Sequence, residues 1–216
     1  MTMDRRTFTR NLALATGGFV LLPHVSGCGA NNKMAAGAPS AVPTVKPEGW
    51  DPITYNKVRG NAGAIPASYL PKINGADGDK NHLGKHLPYI PEIDAGQVPE
   101  GYIALMWGDP AKDYARHPNA PKTADNPDGH WYNWIRIRKA EAGEAEELQS
   151  NYSDWPEIGE SDSGAYAAFG GKDITSDGGK NTIYLAALPK DVKPGDTVRI
   201  YAHCLTHGEY VDFITI

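Results

Sequence analysis

Short apolar segments, separated by turns rich in glycine and proline, constrain the fold of this chain more than any other feature. The 216 residues include 24 glycines and 17 prolines, which favours turns over long helices. Near the C-terminus Val198, Ile200 and Ala202 alternate with more polar neighbours, so they share one face of a strand. Strands are predicted at 102–107, 131–138, 166–169, 182–188, 197–203 and 210–216, which indicates an antiparallel β-sandwich or barrel.

The remaining segments carry weaker patterns. Residues 29–48 are rich in Ala, Gly and Pro and predict a flexible linker, followed by one folded domain at 49–216. Within that domain, 50–81 predicts loops with at most a short strand or helical turn, because glycines interrupt the apolar stretches. Residues 141–149, rich in Glu and Ala, are the helical candidate, and a solvated hairpin tip is the alternative.

The first 28 residues have the pattern of an export signal. Arg5 and Arg6 precede an apolar stretch at 11–22, which is typical of a twin-arginine (Tat) signal. This stretch is shorter than the roughly 20 residues that span a bilayer. Small residues precede Cys28, as in a bacterial lipobox, so we expect export to the periplasmic side and a lipid anchor on Cys28. The alternative is a simple secretory signal in which Cys28 is incidental.

The charge balance argues against one class of function. The chain has 21 Lys and Arg against 26 Asp and Glu, a net charge of −5. Nucleic-acid-binding proteins present basic stripes, and none is visible here. Contact with a membrane is expected through the lipid anchor alone. An anionic substrate would be repelled at long range, so it would need local positive charge at its site.

The chemistry-bearing residues of the body are one cysteine and six histidines. Cys204 and His207 form a C-x-x-H motif at the exit of a predicted strand, and Gly208 allows a sharp turn behind it. One thiolate with several imidazoles suits iron, copper or zinc, and not calcium or magnesium. His203 should point away from Cys204, because neighbours in a strand face opposite sides. The other histidines are His82, His86, His117 and His130.

Four segments in this order resemble the superoxide reductases of the neelaredoxin and desulfoferrodoxin family. That family has a Lys-His-x-Pro motif, a His-Pro-Asn loop, a histidine opening an aromatic strand, and a C-x-x-H-G motif near the C-terminus. The matching segments begin at Lys85, His117, His130 and Cys204, respectively. The resemblance covers about 83–216, and the four cysteines of the second iron domain of larger members are not present.

The resemblance implies both a fold and an activity. The fold would be an immunoglobulin-like antiparallel β-sandwich, and the activity would be one-electron reduction of superoxide to hydrogen peroxide. A mononuclear iron, cycling between Fe2+ and Fe3+, would be the cofactor, and Lys85 would supply positive charge for the anion. An unidentified external electron donor would restore the iron, and a homo-oligomer is the family's usual state. The implied metal ligands are His86, His117, His130, Cys204 and His207.

Two positions depart from the family pattern. Members commonly carry a glutamate directly before the lysine, where this chain has Gly84. Asp79 is a candidate to replace that carboxylate. The segment between His117 and His130 is also longer than usual and contains additional turn residues, which predicts a lid or a surface loop.

Two other classes of protein remain as alternatives. A blue-copper electron carrier would also be a β-sandwich, but it would need a weak axial ligand after the C-x-x-H motif. The last methionine, Met106, lies far upstream of Cys204, and two histidines would be left without a role. A metal-free binding module resembling a sulfur carrier would instead use Cys204 as a bare nucleophile.

Overall fold

The computed structural model describes residues 41–157 and 164–216. Over these residues the chain is mostly β, with eight strands in two antiparallel sheets, which confirms the predicted all-β class. The signal, the lipidation of Cys28 and most of the linker lie outside the described residues. The strands are β1 (Pro88–Tyr89), β2 (Tyr102–Trp107), β3 (Tyr132–Lys139), β4 (Glu147–Asn151), β5 (Ala165–Ala168), β6 (Thr182–Ala187), β7 (Thr197–Cys204) and β8 (Gly208–Thr215).

Each sheet contains four strands. The order is β1-β2-β6-β5 in one sheet and β4-β3-β7-β8 in the other. All neighbouring strands pair antiparallel. The strands predicted at 102–107, 131–138, 166–169, 182–188, 197–203 and 210–216 correspond to β2, β3, β5, β6, β7 and β8 to within two residues at each end.

The main hydrophobic core draws side chains from both sheets. The alternating residues of β7 face it as predicted, since Val198, Ile200 and Ala202 are fully buried. Tyr201 and His203, on the opposite face of the same strand, are partly exposed. Residues of β2, β3 and β6 also belong to the cluster: Ile103, Leu105, Trp107, Ile135, Ile137, Tyr184 and Ala186.

The prediction of irregular structure at 50–81 was wrong, because this segment is largely helical. It contains α1 (Pro52–Arg59) and α2 (Leu70–Ile73), joined by short π- and 3-10-helical turns. The carboxylate of Asp51 accepts hydrogen bonds from the first turn of α1, and Pro52 occupies its first position. This capping pattern was visible in the sequence. Within the described residues, no helix is both long and apolar enough to cross a membrane.

The helical segment is attached to the second sheet through α1. The side-chain amide of Asn56 donates to the carbonyl of Val211 at 2.7 Å and accepts from its amide at 2.9 Å. Asn56 therefore pairs with the backbone amide and carbonyl of Val211 at the outer edge of β8, as a residue of a neighbouring strand would. The indole of Trp50 also donates to the buried carboxylate of Asp212 at 2.8 Å.

The helix predicted at 141–149 does not form. Its last three residues belong to β4, which pairs antiparallel with β3, and the hairpin alternative describes the segment better. Leu148 lies opposite Ile137, and Arg136 donates to the side chain of Gln149 at 2.7 Å. Glu and Ala both favour a helix, but intrinsic propensity is a small effect, and pairing with a strand already in the sheet outweighed it.

Gly208, which opens β8, is required by its backbone angle and by its surroundings. Its φ is +84°, and a Cβ there would lie 2.3 Å from the carbonyl oxygen of Ala64. Gly143 has a similar φ of +87° but open space around it. We expect Gly143→Ala to cost about 1 kcal/mol of unfolding free energy and Gly208→Ala at least about 3 kcal/mol, because only the second adds a backbone clash. Chemical denaturation measures both, and equal losses would contradict the close approach of Ala64.

Candidate metal centre

The five predicted ligands come from four separate segments of the chain that meet near the end of the core. His86 ends a 3-10-helical turn just before β1, and His117 follows β2. His130 precedes β3, and its backbone forms an antiparallel bridge with Ala120. This bridge closes the long segment between His117 and His130 at its base, so the added residues form a loop and both histidines stay at one end of the sheets. Cys204 ends β7, and His207 lies in the turn to β8.

The ligating atoms of the five side chains converge on one point. One ring nitrogen from each histidine and the sulfur of Cys204 all lie within 4.8 Å of one another. Nδ1 of His207 is 3.1 Å from Nε2 of His86 and 3.0 Å from Nε2 of His130. The sulfur of Cys204 is 3.7 Å from the same Nδ1 and 3.6 Å from Nε2 of His117.

These distances fit a shared cation. Two imidazole nitrogens bound at right angles to one metal, each at about 2.1 Å, lie about 3.0 Å apart. Hydrogen bonds alone do not explain the arrangement, because Nδ1 of His207 has either one proton or one lone pair. Two ring nitrogens and a sulfur nevertheless face that atom. The cluster of four histidines and one cysteine could therefore hold a metal ion.

No family model, curated protein or solved structure matches this chain. The likeness to superoxide reductases thus rests on the ordered motifs alone. The convergence of five motif residues, separated by up to 121 positions in the chain, is a property of this structure and does not depend on that likeness. It shows where a metal could bind and does not identify the metal.

Burial keeps the candidate ligands neutral in the absence of a cation. Desolvation lowers the pKa of His130 to about 4 and that of His207 to about 2. It also lowers the pKa of His86 and of His117 well below the usual value. Neutral imidazole is the form that binds metals. Desolvation raises the pKa of the Cys204 thiol to about 12, so a bound cation would have to displace the thiol proton.

A hydrogen bond orients His86 toward the cluster. Its Nδ1 lies 2.5 Å from the carbonyl oxygen of His82. A carbonyl can only accept, so Nδ1 carries the proton and Nε2 keeps its lone pair for a metal. Tyr132 adds a weaker contact, its hydroxyl lying 3.5 Å from the carbonyl of His86. The backbone carbonyl of His82 thus supports the site, a role that no local sequence pattern indicated.

Two tyrosines pack against the histidine rings, and neither was predicted. Tyr69 stacks on His207 with ring centroids 3.9 Å apart, and Tyr210 stacks on His86 at 4.2 Å. Tyr69 also hydrogen-bonds Nδ1 of His82 at 2.9 Å. No local motif marks these residues, because their positions depend on how the helical segment and β8 pack around the cluster.

Lys85 lies next to the cluster in the same turn as His86. It is partly buried, and its ammonium group lies 5.5 Å from the ring centroid of Tyr69. Among the described residues, none of the ion pairs includes Lys85. Desolvation lowers its pKa, and the nearby Cys204 opposes that shift. Lys85 is therefore a cation held close to the candidate metal position without a carboxylate partner in the described chain.

The position of the usual glutamate is closed in this chain. A Cβ at Gly84 would lie 2.4 Å from the ring of Tyr114, so any side chain would displace that ring. Asp79, the candidate to replace that carboxylate, pairs with Lys57 at 2.8 Å and is largely exposed. His203 faces away from the cluster, as predicted, and hydrogen-bonds Asn133 at 2.6 Å.

Proposed function

We propose that this protein is a superoxide reductase that converts superoxide to hydrogen peroxide at a mononuclear iron. The observation that carries the proposal is the convergence of four imidazoles and one thiol within 4.8 Å. Beside them lies a lysine that forms no ion pair within the described chain. The donor set suits iron, copper or zinc, and the family resemblance selects iron from these three. The ordered motifs, Lys85-His86 to Cys204-x-x-His207-Gly208, agree with the same family.

The proposal includes an immunoglobulin-like sandwich. In such domains the strands order A-B-E-D in one sheet and C-F-G in the other, with C′ added beside C in some members. The orders β1-β2-β6-β5 and β4-β3-β7-β8 correspond to A-B-E-D and C′-C-F-G when the strands are lettered along the chain. This correspondence supports the assignment of the two sheets to an immunoglobulin-like sandwich.

Different residues of the chain have different roles in the proposed reaction. Bound iron would supply the one-electron couple between Fe2+ and Fe3+, held by His86, His117, His130, His207 and Cys204. The protein excludes bulk water from most of this region, since His86, His117 and Cys204 are buried. The ammonium of Lys85 offsets the net negative charge of the protein where the anion must arrive, and a fixed charge there stabilises developing negative charge.

Partners and location form part of the same proposal. The described residues include one cysteine, Cys204, and one group of side chains that could hold a metal. An external donor would therefore return one electron to the iron in each cycle. The Tat-type signal and the lipid anchor on Cys28 would place the domain on the periplasmic side of a membrane. A homo-oligomer, as implied by the family, is testable by sedimentation.

Substitution of Lys85 tests its role in attracting the anion. We expect Lys85→Gln to reduce the second-order rate with superoxide about tenfold at low ionic strength, and to flatten its dependence on salt. The matched control is Lys80→Gln, which removes an exposed lysine paired with Asp113 and should leave the rate unchanged. Pulse radiolysis at several salt concentrations measures both, and an unchanged salt slope in Lys85→Gln would contradict the role.

The blue-copper alternative loses support in the structure. Met106 faces a different buried cluster, where its sulfur accepts from the hydroxyl of Tyr89 at 3.6 Å. It therefore does not approach Cys204 as an axial ligand would. In a metal-free module, several ring nitrogens and a thiol would face one another in a buried space. This arrangement is unfavourable, because these buried polar groups cannot all form hydrogen bonds with one another.

The deciding experiment combines metal analysis with the stoichiometry of the reaction. Protein loaded in the cell should contain about one iron per chain, whereas copper or no metal would favour one of the two alternatives. In rapid mixing, the reduced protein should produce one peroxide for each superoxide consumed. One peroxide per two superoxides, with release of dioxygen, would indicate a dismutase instead.

A further inference from the structure

A continuous series of aromatic rings leads from the candidate metal cluster into the main hydrophobic core. The ring of Tyr132 contacts two candidate ligands, with its centroid 4.8 Å from that of His117 and 6.4 Å from that of His86. Tyr132 also stacks on Trp107 at 4.1 Å and meets Tyr184 edge-on at 5.7 Å. Among the ring contacts within the described residues, Tyr132 is therefore the one that joins the cluster to the aromatic rings of the core.

The series continues from Tyr184 to the protein surface. The ring of Tyr184 lies 5.2 Å from that of Tyr166 and 5.0 Å from that of Tyr152, and Tyr152 stacks on Tyr166 at 5.3 Å. Tyr166 belongs to β5, an edge strand, and is partly exposed, whereas the other members are buried. Its hydroxyl donates to the carbonyl of Asp154 at 2.9 Å. These five residues are here called the aromatic ladder: Trp107, Tyr132, Tyr152, Tyr166 and Tyr184.

Every ring of the ladder belongs to tyrosine or tryptophan, which lose an electron far more readily than phenylalanine does. Phenylalanine would fill a core without adding polar atoms, yet Phe169 and Phe213, the two phenylalanines of the described chain, lie outside this core cluster. Burying a hydroxyl costs free energy unless it is hydrogen-bonded. The hydroxyl groups of Tyr152 and Tyr184 each donate a hydrogen bond inside the core. Packing alone therefore does not account for this choice of residues.

The indole nitrogen of Trp107 has an unusual environment. It is buried, and it has no hydrogen-bond partner within the described residues. A buried polar group without a partner is uncommon and calls for an explanation. Because no acceptor is in reach, an oxidised indole at this position keeps its N–H proton. Trp107, which stacks on Tyr132 and meets Tyr184 edge-on at 4.9 Å, can thus pass an electron without exchanging a proton.

We propose that the aromatic ladder delivers an electron from Tyr166 to the metal centre when hydrogen peroxide attacks the reduced ion. Peroxide takes one electron from the ion and one from the ladder, and with two protons from solvent it becomes two water molecules. Tyr166 loses that electron, releases its phenolic proton to solvent and remains as a neutral tyrosyl radical. An external hydrogen-atom donor, such as ascorbate or a thiol, restores the phenol. This inference rests on the proposed function only in requiring a metal that changes oxidation state.

The ladder protects the ligands that hold the metal. An electron that the ladder did not supply would come from groups in contact with the metal, and oxidation of a thiolate such as Cys204 proceeds in steps that end irreversibly. Electron transfer slows steeply with distance, so several short steps between rings are faster than one long step to Tyr166. Tyr69 and Tyr210 also contact the cluster, but within the described residues neither makes a ring contact with the ladder. The position of the radical therefore distinguishes the ladder from these two rings.

The test locates that radical. Reduced, metal-loaded protein, freed of excess reductant, is treated with hydrogen peroxide and a nitroso spin trap that bonds covalently to tyrosyl radicals, and peptide mass spectrometry identifies the labelled residues. Tyr132→Phe breaks the ladder beside the cluster and removes a hydroxyl whose contact with the carbonyl of His86 is long, at 3.5 Å. Tyr210→Phe is the matched control. Tyr210 is also fully buried, stacks on His86 and donates to the carbonyl of His207 at 3.1 Å.

We expect label on Tyr166 in the unmodified protein and in Tyr210→Phe, and the loss of most of it in Tyr132→Phe. Metal-free protein should stay unlabelled, because peroxide alone does not oxidise tyrosine. Tyr132→Phe should also release its metal after fewer additions of peroxide than Tyr210→Phe. Tyr166→Phe, which removes the electron donor at the other end of the ladder, should show the same early release. Metal content and the visible spectrum before treatment show whether each variant begins with an intact centre.

Equal labelling of Tyr166 in Tyr132→Phe and Tyr210→Phe would overturn the proposal, as would equal labelling of metal-free and metal-loaded protein. Label on Tyr69 or Tyr210 in place of Tyr166 would overturn it as well, because the electron would then come from a ring outside the ladder. Superoxide is not used at any step. A protein that labels Tyr166 but does not reduce superoxide would refute the proposed function alone, and one that reduces superoxide without labelling Tyr166 would refute the ladder alone.

Discussion

Cys204→Ser is expected to abolish reduction of superoxide while leaving the fold intact. Cys204 is the one described cysteine, it is fully buried, and its sulfur lies 3.6–3.7 Å from two of the candidate imidazoles. A bound thiolate donates electron density to iron, which a serine hydroxyl does not match. Loss of residues that merely support a metal ligand costs about 10- to 100-fold, so loss of this ligand should cost more than about 100-fold.

Three measurements check this expectation. Rapid mixing with superoxide gives the rate, visible absorption reports the thiolate-to-iron charge-transfer band in the red region, and circular dichroism reports the fold. The band and the rate should disappear together. His203→Ala is the matched control for metal content, because it alters the neighbouring residue on the outer face and should retain one iron per chain. Retained superoxide reduction in Cys204→Ser would count strongly against the proposed mechanism.

Removal of the metal is expected to lower the melting temperature by about 10 °C. A ligand that binds only the folded state at 1,000 times its dissociation constant adds about 4 kcal/mol of stability. In a domain of this size each kcal/mol shifts the melting temperature by about 2–4 °C. The cluster forms only in the folded chain, because its members are brought together by β2, β3, β7 and the turns beside them.

Differential scanning calorimetry of the metal-free and iron-loaded protein measures this shift. His117→Ala is the control, because it removes one buried candidate ligand and should melt at nearly the same temperature with and without iron in the buffer. A shift of equal size in His117→Ala and in the unmodified protein would place the stabilising metal somewhere other than this cluster.

Local patterns were sufficient for the strands that face the core. In β7 the alternation of Val198, Ile200 and Ala202 with more polar residues is dictated by the two-residue period of a strand, and the structure agrees. The same period predicts that Cys204 and His203 lie on opposite faces of β7, as they do. The five candidate ligands, and their place around one metal, were expected from the resemblance of the ordered motifs, whereas the distances between them come from the structure.

The elements that were missed depend on contacts between distant residues. β4 forms because Leu148 and Gln149 find partners on β3, which overrides the local preference of a Glu- and Ala-rich stretch. The helices at 52–73 are too short to show a helical period, and only the cap at Asp51 marked the first of them.

The sequence by itself determined which side chains carry chemistry and which faces of the strands are buried, because both follow from residue types and a two-residue period. Tertiary structure alone decided that four rings and a sulfur converge within 4.8 Å and that Tyr69 stacks on His207. Loop closure and sheet pairing set these distances, and neither can be read from a local window of residues.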